Sequence, residues 1–279
     1  MFIYKSNKQI YTDKEIIIIK PFDSNLEFAI DDKSKPLFDE LWQGTGEVNG
    51  GVLKIGKSKI KLLDAPDLTI PTSPLTNEVE LSWLQLTNAA KYVSNEQVLA
   101  GVFVNNLGTI IATDRYKLYT IFKGTNESGI VLPPAFIRAL PQCNMVKLKY
   151  NTVRAECEID GVIYHTRLLN SNKYPDVSRL IDTTGYNEVK FDIANYLAVG
   201  KLVGGDINLT IKDYTITFEG NDTYTDEYSE NIVLSVPLSH LLPAYSTGGI
   251  KTVWYSGSMK PLIFDTVDGA RIVVVTLRV

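Results

Sequence analysis

The stretch ESGIVL at residues 127–132, followed by two prolines and a short apolar helix, decides how this chain is organised. It returns as ENIVL at residues 230–234, followed by PLSHLL at residues 237–242. The two copies lie about 100 residues apart, well beyond the roughly 20–50 residues of a solenoid repeat. The spacing therefore predicts whole domains that have been duplicated.

The similarity extends to both sides of these copies. A helical stretch precedes each one, at residues 83–93 and 191–203, and Ser82 is a suitable N-cap for the first. A hairpin closed by an Asp-Gly pair follows each one, at residues 160–161 and 268–269. Each copy thus reads as helix, strands, helix, strands.

Short alternations of apolar and polar residues dominate the chain. Val146, Leu148 and Tyr150 alternate with polar residues, which is typical of a half-buried antiparallel strand. We therefore expect an α+β fold of repeated domains, built from antiparallel sheets and few short helices.

The residues before position 77 resemble part of a third copy. A helix is predicted at 35–42 and a pair of strands at 52–63, but the opening helix is missing because residues 1–20 read as strands. Pro66, Pro71 and Pro74 mark one boundary, and residues 182–185 mark another. The predicted domains are a shortened first domain at 1–75, a middle domain at 76–183 and a C-terminal domain at 184–279.

Composition places limits on the protein's class. The chain has 279 residues, 44% of them hydrophobic, and a net charge of -4. Its apolar run at 16–19 is far shorter than the roughly 20 residues that cross a bilayer, and no signal peptide precedes it. We therefore expect a cytoplasmic protein without a membrane partner, whose two cysteines stay reduced. The acidic average leaves nucleic-acid binding open, because one face of a large assembly can still be positive.

The sequence offers little for catalysis. His165 and His240 have no ligand-spaced partner, and no nucleophile elbow, phosphate loop or dinucleotide fingerprint is present. The expectation is a protein that is not an enzyme and has no cofactor or metal. Lys57, Lys59 and Lys61 alternate along a predicted strand, which indicates either a charge-protected edge or a functional contact.

Motifs in the middle domain resemble those of the bacterial sliding clamp, the β subunit of DNA polymerase III. They are LAGVF at 99–103, IATDRYKL at 111–118, RL at 167–168 and YPDVSRL at 174–180. The match is good over 78–182, follows the repeat over 188–279 and is weaker over 22–72. Such clamps are rings of six domains, with sheets outside and short helices lining the hole.

The resemblance implies a processivity factor that encircles double-stranded DNA without reading its sequence. Its partners would be a DNA polymerase and a clamp loader, which bind through short peptides in an apolar pocket. Carried over by motif, the pocket residues are Leu99, Thr113, Arg115, Tyr116, Lys117, Leu118, Pro175, Arg179, Leu180, Val273, Val274, Val275, Thr276 and Leu277. Arg115 stands where the family has glycine, Lys117 where it has arginine and Thr276 where it usually has proline.

The resemblance also implies contacts with DNA and with a second subunit. Cations on or beside the predicted inner helices are Lys35, Lys91, Arg138 and Lys201. The sealing strand at 58–63 and the helix near Tyr196 would form the subunit interface, through Lys59, Ile60, Leu62 and Tyr196. A homo-oligomeric ring follows, with a dimer favoured and a trimer possible. Richness in Asn, Lys and Ile suggests a phage or mobile-element origin.

Two other functions stay open. The shortened first domain is compatible with a clamp-like adaptor or decoy that binds clamp-ligand peptides without encircling DNA. A carbohydrate- or nucleotide-processing enzyme on a new α+β fold is the remoter reading. Two substitutions follow from the clamp interpretation: Leu118→Asp is expected to abolish peptide binding without affecting assembly, and Ile60→Lys to separate subunits without unfolding them.

Overall fold

The computed structural model describes residues 1–13, 15–64, 73–96, 98–124, 128–170, 174–199, 203, 205–230 and 232–278. Lys201 and residues 127 and 231 of the repeated segments lie outside these ranges. No helix within the described ranges is long and apolar enough to cross a membrane.

The elements follow the predicted repeat. The first repeat contains β1 (Phe2–Lys5), β2 (Lys8–Thr12), β3 (Ile16–Pro21), β4 (Phe28–Ile30), α1 (Lys35–Leu41), β5 (Glu47–Asn49), β6 (Val52–Ile55) and β7 (Ser58–Lys61). The middle repeat contains β8 (Asn77–Ser82), α2 (Trp83–Ala89), β9 (Val102–Asn105), β10 (Ile110–Thr113), β11 (Lys117–Ile121), β12 (Gly129–Leu132), α3 (Pro134–Ala139), β13 (Met145–Tyr150), β14 (Arg154–Ile159) and β15 (Val162–Arg167).

The last repeat has the same order. It contains β16 (Asn187–Val189), a 3-10 helix (Ala194–Tyr196), β17 (Asn208–Lys212), β18 (Thr215–Glu219), β19 (Thr223–Glu227), β20 (Leu234–Pro237), α4 (Leu238–Tyr245), β21 (Ile250–Tyr255), β22 (Leu262–Thr266) and β23 (Arg271–Val274). The predicted α+β class is therefore confirmed, with antiparallel sheets and short helices.

Local sequence explains most of these elements. The Ser82 hydroxyl accepts a hydrogen bond from the Gln85 N–H and so caps α2 as predicted. Pro134 opens α3, where the missing N–H of proline costs no helical hydrogen bond. Asp160 and Gly161 both have positive φ angles and close the β14–β15 hairpin.

The boundaries of the sheets do not coincide with those of the repeats, because each large sheet combines strands of two successive repeats. One eight-stranded sheet has the order β4-β1-β2-β3-β15-β14-β13-β8, and the other has the order β12-β9-β10-β11-β23-β22-β21-β16. In each, the first half of one repeat joins the second half of the next through an antiparallel pair, β3–β15 or β11–β23. Two half-sheets are left, β19-β18-β17-β20 and β5-β6-β7.

The contacts of the chain follow the sheets. One compact unit comprises residues 1–81 and 135–168, and the other comprises residues 82–134 and 169–279. In the first unit, Tyr4, Phe28, Phe38, Leu53 and Ile60 belong to one buried cluster between strands and α1. In the second unit, a buried cluster on the β9–β11 and β22–β23 side of the sheet includes Phe103, Leu118, Val177, Ile181 and Val273.

Candidate functional site

The loop between β10 and β11 carries the most constrained of the predicted pocket residues. The Thr113 hydroxyl accepts from the Arg115 N–H at 3.1 Å and donates to the Lys117 carbonyl at 2.8 Å. One carboxylate oxygen of Asp114 accepts from the N–H groups of Tyr116 and Lys117, at 3.0 and 2.8 Å. These bonds fix a tight hairpin turn and leave the side chains of Arg115 and Tyr116 at its tip.

The backbone of Arg115 adopts a conformation that glycine occupies more readily than other residues. Its φ angle is 79°, in the left-handed region, where a side chain costs about 1–2 kcal/mol. The glycine that the resemblance implies at this position would fit the turn without this cost, and this chain has an arginine there. The guanidinium forms an ion pair of 2.6 Å with Glu96, and the two side chains are 67% and 53% exposed.

Tyr116 and Lys117 connect the turn to α4. The Tyr116 ring stacks on His240, with ring centroids 5.3 Å apart and an interplanar angle of 21°. Lys117 forms an ion pair with Asp114 and is largely buried. Burial, assisted by the Lys117 charge, lowers the pKa of His240 below its ordinary value, although Asp114 acts in the opposite direction. The imidazole is therefore neutral at pH 7.

The β11–β23 pair brings the two halves of the predicted pocket together. Leu118 lies opposite Val273, and the Val275 N–H donates to the Tyr116 carbonyl at 2.8 Å. Leu118 and Val273 are both buried in the cluster of the second unit. Val274 is fully buried, and because side chains alternate along a strand it lies on the opposite face from Val273.

The segment at 174–181 covers this cluster. Val177 and Ile181 are buried in it, and the Tyr174 hydroxyl lies within hydrogen-bond distance of two acceptors, the carbonyls of Gly101 and Ile111. Of the predicted pocket residues in this segment, Pro175 is half-buried, whereas Arg179 and Leu180 are exposed. The structure thus places these residues in the same unit as the β10–β11 turn.

The C-terminal residues of the predicted pocket are tied down by hydrogen bonds. The Thr276 hydroxyl donates to the carbonyls of Ser258 and Lys260, and the Leu277 N–H donates to the Ser235 carbonyl at 2.7 Å. Among the predicted pocket residues, the large apolar side chains that are exposed to solvent are Tyr116, Leu180, Val275 and Leu277.

This burial corrects one expectation from the sequence. Of the predicted pocket residues Leu99, Leu118, Leu180 and Val274, only Leu180 is exposed. Leu118→Asp would place a carboxylate in the core, so it would destabilise the fold rather than remove peptide binding alone. His240 and Glu96 were absent from the predicted site, because nothing local in the sequence signals their contacts with Tyr116 and Arg115.

The cations predicted to contact DNA differ in exposure and in the partners that they bind within the chain. Lys35 forms an ion pair with Asp39 and lies 5.1 Å from the centroid of the Phe2 ring. Lys91 donates to the Asn88 side chain and to the Ser246 carbonyl, and burial lowers its pKa. Arg138 is exposed at the end of α3. Lys201 lies outside the described residues.

The predicted interface residues lie on or near strands at sheet edges. Lys59 is exposed on β7, which ends the three-stranded sheet, whereas Ile60 is buried against its own core. Ile60→Lys would therefore unfold the first repeat, which corrects the expectation that it only separates subunits. Leu62 is half-buried, and the Tyr196 hydroxyl donates to the carbonyl of Glu227 in β19, the edge of the four-stranded sheet.

Each unit also contains an arginine that holds a connecting segment, buried in the case of Arg154 and half-buried in the case of Arg271. Arg154 donates to the Ser73 carbonyl from Nη2 at 2.6 Å and from Nε at 3.2 Å, and pairs with Glu156. His165 lies 3.1 Å from the same carboxylate. Arg271 donates to the Ile181 carbonyl at 2.6 Å and forms a two-point pair with Asp265. Within the described residues, no group of three His, Cys, Asp or Glu side chains is placed to hold a metal ion.

Comparison with solved structures establishes the fold. The chain is similar to the sliding clamp (DNA polymerase III subunit beta) of Bartonella birtlesii bound to griselimycin, with 15% identity, a TM-score of 0.77 and coverage of 100% of this chain and 90% of that one. It is similar to the DNA polymerase III subunit beta of Pseudomonas aeruginosa, with 15% identity, a TM-score of 0.77 and coverage of 100% and 92%.

A third similar structure contains a peptide. The Helicobacter pylori beta clamp bound to a DNA ligase peptide is 14% identical, with a TM-score of 0.76 and coverage of 99% of this chain and 90% of that one. No family model matches the chain, and no curated protein matches it by sequence. The chain therefore has the fold of bacterial sliding clamps.

Proposed function

We propose that this protein is a sliding clamp, a non-catalytic processivity factor that encircles duplex DNA and tethers a DNA polymerase and other replication proteins. The observation that carries the proposal is the likeness to clamp structures over the whole chain. A clamp retains its partners by topology, so it needs no catalytic residues and no cofactor. A cytoplasmic location, three domains at 1–75, 76–183 and 184–279, and a clamp loader as partner belong to the same proposal.

The stagger of the sheets supports a ring built from copies of this chain. Within the chain, β3 pairs with β15 and β11 pairs with β23, so the corresponding partner of β19 is β7. Both β19 and β7 end their own sheets. We propose that β19 of one copy pairs with β7 of the next. With three domains per chain, six domains close as a head-to-tail dimer, although a trimer is the alternative.

Charge complementarity supports this pairing. All residues of β19 are exposed, and they include Asp226 and Glu227, one on each face of the strand, so that one of the two shares a face with Lys59 and Lys61 in the proposed pair. Lys59 and Lys61 are exposed on β7. Unlike charges on facing strands stabilise a pair by roughly 0.2–1 kcal/mol each, and like charges oppose it. The interface is therefore expected to weaken as salt concentration rises.

A charge swap tests the interface. We expect a mass of two chains by light scattering, a shift to one chain in the Lys59→Glu/Lys61→Glu variant, and recovery of two chains when that variant is mixed with Asp226→Lys/Glu227→Lys. Lys5→Glu/Lys8→Glu is a matched control, because both lysines are exposed on the β1–β2 hairpin, which belongs to a different sheet from β7. A mass of three chains would replace the dimer with a trimer, and no effect of the swap would reject the β19–β7 pair.

Encirclement is tested by topology. With clamp loader and ATP, the protein is expected to stay on circular DNA and to leave the same DNA after it is cut once. A non-encircling adaptor that only binds clamp-ligand peptides is the second candidate, favoured by the hydrogen-bonded or ion-paired states of Lys35 and Lys91. Equal loss from circular and cut DNA would select this adaptor.

The DNA contact is expected to involve few cations. Arg138 is exposed, whereas Lys35 is paired with Asp39, so Arg138→Ala is expected to weaken DNA binding more than Lys35→Ala. Each phosphate contact that is lost lowers the slope of log affinity against log salt by about one unit. Equal slopes for both variants and the unmodified protein would remove these residues from the proposed DNA surface.

A further inference from the structure

The tip of the β10–β11 hairpin contains a cation whose backbone is held in a conformation that its side chain disfavours. The backbone N–H of Arg115 donates to the Thr113 hydroxyl and that of Tyr116 to the Asp114 carboxylate, which fixes the turn around Arg115, whose φ angle is 79°. Non-glycine residues in this region are concentrated at functional sites, where the surrounding structure maintains the strain. The arginine is therefore a candidate for a role in binding.

The ion pair with Glu96 uses only part of the hydrogen-bonding capacity of the Arg115 guanidinium. It has five N–H donors, and its ion pair runs from Nη2 to one oxygen of Glu96 at 2.6 Å. Both side chains are more than half exposed, and such exposed pairs contribute little stability, so a ligand can displace Glu96 without a large loss. A guanidinium binds carboxylates through two parallel hydrogen bonds, which makes a carboxylate the matching ligand group.

Other charges at the turn are already engaged. The Lys117 ammonium is paired with Asp114, and both side chains are largely buried. His240 is neutral at pH 7 because burial lowers its pKa, and its ring stacks on Tyr116. Arg115 is therefore the exposed cation of the turn, with Glu96 as the exposed carboxylate facing it.

The neighbours of Arg115 are apolar and accessible. Tyr116 is the next residue in the chain and is exposed, and its carbonyl accepts from the N–H of Val275, which is also exposed. A ligand lying here would place apolar side chains on Tyr116 and Val275 within reach of the Arg115 guanidinium.

We propose that Arg115 is a specificity-determining residue that selects peptides with an acidic residue next to their apolar anchor, and that Glu96 is an internal carboxylate which competes for the same guanidinium. This inference rests on the proposed function, because it assigns a peptide preference to the proposed partner site. Charge complementarity between Arg115 and the peptide carboxylate carries it.

The test uses fluorescein-labelled peptides with a Leu-Leu-Phe core flanked by Gly and Ser. One flanking position at a time is Asp or its uncharged isostere Asn, and affinity is measured by fluorescence anisotropy with the full-length protein. At the best position we expect Asp to bind about tenfold more tightly than Asn. The ratio should fall to about one in Arg115→Gly and in Arg115→Asn, because both residues tolerate the left-handed backbone and neither has the charge.

Glu96→Gln should have the opposite effect. Removing the competing carboxylate is expected to raise the affinity of the Asp peptide severalfold and to leave that of the Asn peptide unchanged. Lys147→Ala is the matched control, because Lys147 and Glu78 also form an ion pair between two exposed side chains, at 2.9 Å, in the other unit. Its Asp-to-Asn ratio should equal that of the unmodified protein.

The outcomes separate this inference from the proposed function. If the peptides bind but Asp and Asn are equal, or if the ratio survives in Arg115→Gly, the role of Arg115 is overturned and the peptide site stands. If neither the Asp nor the Asn peptides bind the unmodified protein, the peptide site itself is rejected, and the specificity with it.

Discussion

Arg154 and Arg271 hold connecting segments in the two units, but they use their guanidinium groups differently. Arg154 directs Nε and Nη2 at the Ser73 carbonyl and leaves Nη1 for Glu156. Arg271 directs Nε and Nη2 at Asp265 and leaves Nη1 for the Ile181 carbonyl. Arg154 mainly holds a backbone carbonyl by two hydrogen bonds, whereas Arg271 mainly forms an ion pair with a carboxylate.

Burial follows the same difference. The Arg154 side chain is 8% exposed and that of Arg271 is 30% exposed. Asp265 has a further donor in the Trp254 indole at 2.7 Å, whereas Glu156 shares its oxygen between Arg154 and His165. Loss of the more buried arginine therefore leaves more polar atoms without partners, which predicts unequal consequences for stability.

The largest effect is expected from Arg154→Ala. It leaves the Ser73 carbonyl without its two donors and the Glu156 carboxylate without its arginine partner, and we expect a loss of about 2–4 kcal/mol in the free energy of unfolding. Urea denaturation measures it. Arg154→Lys should recover less than half of the loss, because an ammonium does not reproduce the two-point contact. A loss below about 1 kcal/mol would show that the hydrogen bonds of Arg154 to the Ser73 carbonyl contribute little to stability.

A smaller effect is expected from Arg271→Ala. Asp265 keeps the Trp254 N–H and partial access to water, so we expect a loss of about 1–2 kcal/mol. The same denaturation experiment applies, and hydrogen exchange at residues 178–186 should report loosening of the segment. An effect larger than that of Arg154→Ala would reverse the comparison.

The smallest effect on the free energy of unfolding is expected from a change of pH. It concerns the surroundings of Arg154, where His165 lies close to the same carboxylate. Burial and, after it, the Arg154 charge lower the pKa of His165 below its ordinary value of 6.5, although Glu156 raises it. The unfolded chain therefore binds the extra proton first, and the free energy of unfolding should fall as the pH drops below about 6.5. The hydrogen-exchange protection factor of the Thr76 amide, in which the pH dependence of the intrinsic exchange rate is already divided out, is expected to fall, and His165→Gln should remove the part of that fall due to this histidine.

The sequence predicts local features of this chain well. The alternation at Val146, Leu148 and Tyr150 gives a strand with these three side chains buried, as expected. The Ser82 cap and the proline start of α3 are also confirmed, because each depends on residues within one helical turn. Such features are set by the backbone preferences and spacing of neighbouring residues.

The sequence predicts long-range contacts poorly. Ile60 and Lys59 alternate as predicted, but the structure that covers the apolar side of the strand depends on packing with Tyr4 and Phe28, which lie much earlier in the chain. The stack of Tyr116 on His240 joins residues with no shared pattern. The predicted pocket residues, at 99, 113, 115–118, 175, 179–180 and 273–277, came from the resemblance, and Glu96 and His240 were missed because no motif marks them.

The half-repeat offset between sheets and sequence has a consequence for how chains of this type change over time. Because each repeat shares its first sheet with the second half of the repeat that follows, the ends of the chain always offer the same two edges, represented here by β19 and β7. Gain or loss of a whole internal repeat would leave both edges unaltered. Under the proposed β19–β7 pairing, the number of repeats per chain is thus free to vary while the two strands that join one chain to the next stay the same.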